Sequence, residues 1–93
     1  MGRLARGYNP PVLELYQFEG CPFCERVRVA LDALGLDYVV RTVPRRHALR
    51  DRVLAVSGQA LVPVLVDPER GKVVVESDAI LDYLNEHYGR KDG

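Results

Sequence analysis

Two spacings of apolar residues divide the first half of the chain into strands and a helix. Residues 12–18 are apolar, β-rich and partly alternating, which predicts a strand. Over residues 22–34 apolar side chains return every three or four positions, which predicts a helix with one buried face. Residues 37–43 are β-branched and aromatic and indicate a second strand. A strand, a helix and a strand in this length predict a βαβ unit with parallel strands.

The second half of the chain predicts a helix, a hairpin and a last helix. A thin apolar stripe over residues 45–56 favours a helix, although Gly58 follows at once. Proline cannot donate to a sheet, so the apolar run 61–66 predicts a strand that starts at Pro63 rather than contains it. A turn at 67–71 leads into a strand at 72–75, and a helix follows that starts at residue 76 or 77 and ends at Gly89. This order predicts an α/β fold, with a four-stranded mixed sheet and helices on both faces.

Composition restricts the class of protein and its partners. The chain has 93 residues, 47% of them hydrophobic, and a formal net charge of zero. We therefore expect one globular domain over residues 12–89, between a loose leader at 1–11 and a polar tail at 90–93. Neutral charge gives no general attraction to nucleic acid or membrane, and no apolar run approaches the roughly 18 residues of a spanning helix. The first residues lack the apolar segment of a secretory signal, so we expect a cytoplasmic protein.

The chain's only two cysteines, Cys21 and Cys24, form a C-x-x-C motif where the first strand gives way to the first helix. Pro22 suits the first helical position, which makes Cys21 the N-cap residue. The sulfur of Cys21 would lie over unpaired backbone N–H groups at the positive end of the helix dipole, which favours a thiolate. Cys24 is a neighbour at i+3, close enough for a disulfide. The pattern predicts that an exposed Cys21 attacks a disulfide and a sheltered Cys24 resolves the mixed disulfide.

A metal site is the main alternative for the cysteine pair. Structural zinc usually takes four ligands, and the remaining His47 and His87 are not at zinc-finger spacing, so we expect no metal. The basic run 45–52 fits a solvated helix face better than an anion site. Nucleic-acid binding would need interleaved aromatic residues or a wider basic stripe, and no nucleic-acid partner is expected.

Three motifs in this order resemble a known fold family. They are Cys21-Pro22-Phe23-Cys24 with Arg26, then Val62-Pro63, then Glu76-Ser77-Asp78. With them the chain resembles the thioredoxin fold and, more narrowly, the glutaredoxins and the N-terminal, glutathione-binding domain of glutathione transferases. It is also similar to the thioredoxin-like domain of the membrane-associated type 2 prostaglandin E synthases. The resemblance covers about residues 13–88.

The resemblance implies a glutathione site. Pro63 would be a cis-proline facing the cysteines, and the backbone of Val62 would pair with the cysteinyl part of glutathione like an added strand. The positions of Glu76, Ser77 and Asp78 are those at which the family holds the γ-glutamyl end of glutathione. Glutathione is then the expected co-substrate, disulfides of proteins or small molecules are the expected partners, and a monomer is the expected state. Supporting roles beside the thiol fall to Pro22, Phe23 and Arg26.

The departures from the family keep three functions open. Phe18 stands where many glutaredoxins have a lysine, and residues 75–78 are closer to the transferase pattern. As an alternative to a solvated helix face, one of Arg45, Arg46 and Arg50 could bind the glycyl carboxylate in place of that lysine. The chain stops at Gly93, before the all-helical second domain of a transferase.

The leading hypothesis is a glutaredoxin-like thiol–disulfide oxidoreductase with Cys21 as the nucleophile. The first alternative is a transferase or isomerase acting on bound glutathione, with Cys21 in place of the usual Ser or Tyr. The second alternative is a non-catalytic glutathione-binding or partner-docking module. An iron–sulfur cluster shared between two chains, which some glutaredoxin relatives bind, also stays open.

Overall fold

A computed structural model describes residues 12–89, which form four strands and three α-helices. The predicted leader at 1–11 and tail at 90–93 lie outside the described residues. The elements are β1 (Leu13–Gln17), α1 (Pro22–Ala33), β2 (Tyr38–Thr42), a 3-10 turn (His47–Leu49), α2 (Asp51–Ser57), β3 (Val64–Asp67), β4 (Lys72–Val75) and α3 (Ser77–Tyr88).

The strands form one mixed sheet in the order β2-β1-β3-β4, which confirms the predicted α/β fold. β1 and β2 are parallel, with Leu13 opposite Tyr38. β1 pairs with β3 and β3 with β4 in antiparallel registers, and the β3–β4 pair is the predicted hairpin.

Alternate side chains of each strand go to opposite faces of the sheet and build two apolar clusters. On one face Leu15 and Leu65 pack with Leu31 of α1 and with Ile80 and Leu84 of α3. On the other face Tyr16 and Val64 pack with Val43 and with Val53 of α2. Helices α1 and α3 therefore cover one face of the sheet, and α2 covers the other.

The predicted helix over residues 45–56 is wrong in its extent. Arg50 has a non-helical backbone (φ −97°, ψ 51°) that separates the 3-10 turn from α2. Its guanidinium group donates to the carbonyl oxygens of Pro44 and Ala60 at 2.8 Å and of Arg45 at 2.9 Å. These bonds tie the loop after β2 to the loop before β3, and this tertiary contact overrides local helix propensity.

The other boundaries differ by one or two residues from the predictions. β3 begins at Val64, so Pro63 precedes the strand instead of starting it. Leu49, predicted to lie on the apolar stripe of a helix, is 57% exposed, whereas Val53 is buried.

A buried carboxylate joins the end of β3 to the second half of α3. The side chain of Asp67 is 1% exposed, and its Oδ2 accepts hydrogen bonds from the hydroxyls of Tyr83 at 2.7 Å and Tyr88 at 2.8 Å. Arg70 Nη1 lies 3.3 Å from the same oxygen. Burial alone would raise the pKa of Asp67, but these hydrogen bonds outweigh burial and lower it. Asp67 is therefore a charged anchor for α3.

Candidate functional site

The first turn of α1 carries the two thiols as the sequence predicts. Pro22 is the first helical residue, and Cys21 before it has an extended backbone (φ −80°, ψ 114°). The Cys21 Sγ accepts a hydrogen bond from the backbone N–H of Cys24 at 3.3 Å. The prediction that Cys21 is the N-cap is confirmed, and both cysteines are free thiols.

The prediction of an exposed Cys21 is wrong. Cys21 is 4% exposed and Cys24 is fully buried, so both sulfurs lie beneath the surface of the domain. Burial, reinforced by the hydrogen bond with Cys21, raises the pKa of Cys24 to about 12. Cys24 therefore stays a neutral thiol at physiological pH. Next to the pair, the ring of Phe23 is 58% exposed.

The segment before β3 places an unpaired stretch of backbone near the surface. The Val62–Pro63 peptide bond is cis, as the resemblance implies. Within residues 12–89, neither the N–H nor the C=O of Val62 has a backbone hydrogen-bond partner. Gln59 steadies this segment, because its amide group both accepts from the N–H of Leu61 at 2.8 Å and donates to the Leu61 carbonyl at 3.0 Å. The loop therefore presents Val62 in a fixed position.

A single residue, Glu76, connects β4 to α3. It has a positive φ of 76° with ψ 132°, a conformation that costs a non-glycine residue roughly 1–3 kcal/mol. The sharp turn lets α3 start at once, with the side chain of Glu76 exposed and Ser77 8% exposed. The backbone N–H groups of the first turn of α3 have no partner within the helix and form the positive end of its dipole.

One cleft of about 360 Å³ brings most of the predicted glutathione-site residues together. The residues that line it are Phe23, Gln59, Leu61, Val62, Pro63, Val75, Glu76, Ser77 and Asp78. Neither Cys21 nor Cys24 is part of this lining, and Pro22 lines a separate depression between α1 and Leu81.

Sequence reasoning missed Gln59, Leu61 and Val75 as residues of the cleft. Leu61 is 59% exposed, and an apolar residue directly before Val62 was the available signal for it. Gln59 and Val75 become part of the cleft through the loop geometry and the strand register, which the sequence pattern does not specify.

Arg26 of α1 contacts two residues that line the cleft but does not line the cleft itself. Its Nη1 donates to Ser77 Oγ at 3.1 Å and lies 3.1 Å from Asp78 Oδ1. Among the described residues its hydrogen bonds and ion pairs go to α3, and none goes to Cys21. The predicted support of the Cys21 thiol by Arg26 therefore stays a prediction.

The suggestion that Arg50 binds a glycyl carboxylate is wrong. Arg50 is 3% exposed, and its guanidinium group is occupied by three carbonyl oxygens. Arg45 remains exposed, with its guanidinium carbon 5.2 Å from the centre of the Phe18 ring. Of the three arginines, Arg45 and Arg46 stay available for an anion.

Over residues 12–89 there is no group of three or more His, Cys, Asp or Glu side chains that could hold a metal ion. Of the helices described, none is both long and apolar enough to cross a membrane.

Comparisons with known proteins define the class of protein to which the chain belongs. Residues 15–92 match the family model described as glutathione S-transferase, N-terminal domain. The chain belongs to that family.

Curated relatives agree with the family model. The chain is 33% identical over 84 residues to glutathione S-transferase D7 of Drosophila melanogaster, covering 88% of this chain and 37% of that protein. It is 39% identical over 84 residues to a zeta-class glutathione S-transferase of Euphorbia esula, covering 86% and 36%. A match to prostaglandin E synthase 2 of Mus musculus, 39% identical over 61 residues, covers 66% of this chain and 15% of that protein.

Solved structures give the same result. A glutathione transferase homologue from Drosophila mojavensis, solved with bound glutathione, superposes with a TM-score of 0.77 at 28% identity. The superposition covers 89% of this chain and 38% of that one. This chain therefore spans little more than a third of the length of these transferases.

Proposed function

We propose that this domain binds glutathione in the cleft between α1, the Val62–Pro63 loop and the start of α3, and takes part in transferase-type chemistry on the bound thiol. One observation carries the proposal. The cleft is lined together by Val62, cis-Pro63 and the Glu76–Asp78 corner, in a domain of the glutathione S-transferase N-terminal family.

The parts of the cleft suit the parts of a γ-glutamyl tripeptide. The unpaired backbone of Val62 can hydrogen-bond to an extended peptide as an added strand would. The free N–H groups at the start of α3 suit a carboxylate, and the exposed carboxylate of Glu76 suits an ammonium group. The exposed side chains of Phe23 and Leu61 supply apolar walls.

In the proposed reaction, the glutathione sulfur attacks an electrophilic carbon, a C–S bond forms, and the leaving group departs with the electron pair of the broken bond. An isomerisation would instead use the glutathione thiolate as a nucleophile that adds to the substrate and then leaves again. Cys21 stands at the sequence position of the usual Ser or Tyr, but it is 4% exposed and does not line the cleft, so the proposed reaction uses the glutathione thiolate without a hydrogen bond from Cys21.

A glutaredoxin-like dithiol reaction is the second candidate, and the direct contact of Cys21 with Cys24 in the first turn of α1 favours it. The Cys21 thiolate would attack a disulfide, form a mixed disulfide and release one thiolate. Resolution by Cys24 needs its thiolate, and burial raises the pKa of Cys24 to about 12, so this thiol stays almost entirely protonated at pH 7. Glutathione would then resolve the mixed disulfide, and the burial of both sulfurs places this candidate second.

The experiment compares the wild type with Cys21→Ser and Cys24→Ser in two assays. The first follows conjugation of glutathione to an aryl halide, and the second follows reduction of a small mixed disulfide with glutathione and glutathione reductase. The proposal expects Cys24→Ser to leave conjugation unchanged. Conjugation absent from the wild type, with disulfide reduction present and lost in Cys21→Ser, would replace the proposal with the second candidate.

The cellular setting is part of the proposal. We propose a cytoplasmic location, where glutathione is available. We propose a monomer for this domain, and light scattering during gel filtration tests it.

A further inference from the structure

The outer edge of β2 carries backbone hydrogen-bonding groups that face away from the sheet. Among the described strands, β2 pairs with β1 alone and forms one edge. The N–H of Val43 donates to the carbonyl of Gln17, so the odd-numbered residues of β2 turn their backbone groups toward β1. The backbone groups of the even-numbered residues, Tyr38, Val40 and Thr42, therefore face outward. Within residues 12–89 these outward groups have no backbone partner.

This edge lacks the features with which edge strands usually avoid pairing, namely proline, lysine, a bulge or an unpaired charge. β2 contains no proline or lysine, and its pairing with β1 runs without a bulge from Tyr38 to Thr42. Its single charged residue, Arg41, is held by Glu14 at 2.9 Å. By contrast β4, the opposite edge strand, begins with Lys72. The edge of β2 is therefore open to a further strand.

Both faces of the sheet present an accessible valine at this edge. Val39 is 40% exposed and Val40 is 44% exposed, and successive residues of a strand point to opposite faces. A strand added beside β2 would cover one valine on each face. Cross-strand pairs of β-branched residues are favourable, so a segment rich in such residues suits this edge.

The loop after β2 places positive charge at one end of the edge. Arg45 and Arg46 are exposed, and neither has an ion-pair partner among the described residues. The buried guanidinium group of Arg50 fixes this loop, because it donates to the carbonyl oxygens of Pro44 and Arg45. The two cations therefore follow the C-terminal end of β2 on an ordered loop. An acidic segment complements this charge, whereas a second copy of this chain repeats the two arginines and complements it less well.

We propose that the edge of β2 and the loop after it dock an extended acidic segment of a partner protein. The segment adds to the sheet as a fifth strand, antiparallel to β2. Antiparallel pairing is the slightly more stable form, and it places the N-terminal end of the segment beside Arg45 and Arg46. The segment therefore carries β-branched residues along its length and carboxylates at its N-terminal end. None of the residues that form this surface lines the cleft, so the inference goes beyond the proposed function.

The test follows hydrogen exchange of backbone amides by NMR, with the peptide acetyl-Glu-Glu-Val-Thr-Val-Thr-Val-amide as the probe. Without the peptide, we expect the outward amides of Val40 and Thr42 to exchange quickly and those of Val39 and Arg41 to be protected by β1. With free peptide at about ten times its dissociation constant, exchange at Val40 and Thr42 should slow about tenfold.

Two changes to the peptide separate backbone pairing from charge. N-methylation of its valines removes the donors that would face β2, and we expect binding to weaken more than about tenfold. Lysine in place of both glutamates should weaken binding about tenfold, because like charges then meet at Arg45 and Arg46.

Substitutions test the same two contributions from the side of the protein. Val40→Pro removes an outward N–H, which an edge strand tolerates, and peptide binding should fall more than about tenfold. Arg45→Gln combined with Arg46→Gln should weaken binding about fivefold. Lys72→Gln, which removes a cation at the opposite edge, is the matched control and should change binding less than about twofold. Urea unfolding midpoints show whether each variant folds, and the N-methylated peptide tests the pairing without any variant.

Unchanged exchange at Val40 and Thr42 with millimolar peptide, or equal binding of the N-methylated peptide, would overturn strand addition. Equal binding of the lysine peptide would overturn the acidic partner. Slower exchange at these two amides as the concentration of the protein alone rises would assign the edge to a second copy and also overturn the proposal. Glutathione is absent from all these experiments, so their failure is distinguishable from a failure of the proposed function.

Discussion

At one end of α3, the carboxylate of Asp67 is 1% exposed and accepts hydrogen bonds from Tyr83, Tyr88 and Arg70. At the other end, Glu76 is exposed on a strained backbone, and Asp78 has one ion pair with 84% of its side chain in solvent. Both ends bring acidic side chains to the same helix. A buried carboxylate keeps its charge only with a full set of partners, so Asp67 serves stability. The carboxylates of Glu76 and Asp78 at the start of α3 are exposed and can contact a ligand.

The largest expected effect is the loss of stability when Asp67 is replaced. We predict that Asp67→Ala lowers the free energy of unfolding by about 3 kcal/mol, because it removes charge-assisted hydrogen bonds and leaves two tyrosine hydroxyls without their acceptor. Urea unfolding measures the loss. Tyr88→Phe removes a single hydroxyl and should cost about 1 kcal/mol. A loss of glutathione affinity in folded Asp67→Ala would contradict the division between the two ends.

Substitutions at the start of α3 should instead weaken glutathione binding more than they lower stability. We predict that Ser77→Ala weakens glutathione binding about tenfold, since a hydrogen bond to a charged carboxylate is lost, with a smaller effect on unfolding. Calorimetric titration measures it. Asp82→Asn, an exposed change on the same helix, is the control and should bind as the wild type does. Wild-type affinity in Ser77→Ala would remove this residue from the site.

Two substitutions of Glu76 test whether the residue that strains the backbone also contributes to glutathione binding. We predict that Glu76→Gly raises the free energy of unfolding by about 1 kcal/mol, because glycine adopts a positive φ without strain, while glutathione affinity falls. Glu76→Gln keeps the strain and loses only the charge, so its affinity should fall at unchanged stability. A destabilised Glu76→Gly would show that the positive φ is not strained.

The smallest expected effect is the contribution of Asp67 to the pH dependence of the free energy of unfolding. The folded pKa of Asp67 lies below its unfolded value of about 3.9, so its contribution is present above that pH and is lost as pH falls through the folded pKa. We predict that the free energy of unfolding falls less steeply below about pH 4 in Asp67→Asn than in the wild type. Urea titrations between pH 2 and pH 7 measure both slopes. Identical acid slopes would mean that another carboxyl group dominates.

Elements with local signals were predictable from the sequence. Pro22 after Cys21 marks the start of α1, and Gly71 in the turn marks the β3–β4 hairpin. The last helix was predicted to start at residue 76 or 77, and α3 starts at Ser77. In each of these places local propensity and tertiary packing agree.

Three features depend on contacts between distant residues, and the sequence did not show them. The break at Arg50 comes from its bonds to carbonyl oxygens on either side of α2. The burial of Cys21 follows from the packing around α1, which the C-x-x-C spacing does not encode. The reach of Arg26 to Ser77 spans 51 positions and needs the packing of α1 against α3.

The central claim is that glutathione occupies the cleft at the start of α3. The most direct measurement is a two-dimensional amide NMR titration of the 93-residue chain with glutathione. We predict saturable shifts concentrated at Gln59, Val62, Ser77 and Asp78, with the amides of Tyr83 and Tyr88 unmoved. Saturable shifts elsewhere, or none at millimolar glutathione, would contradict it.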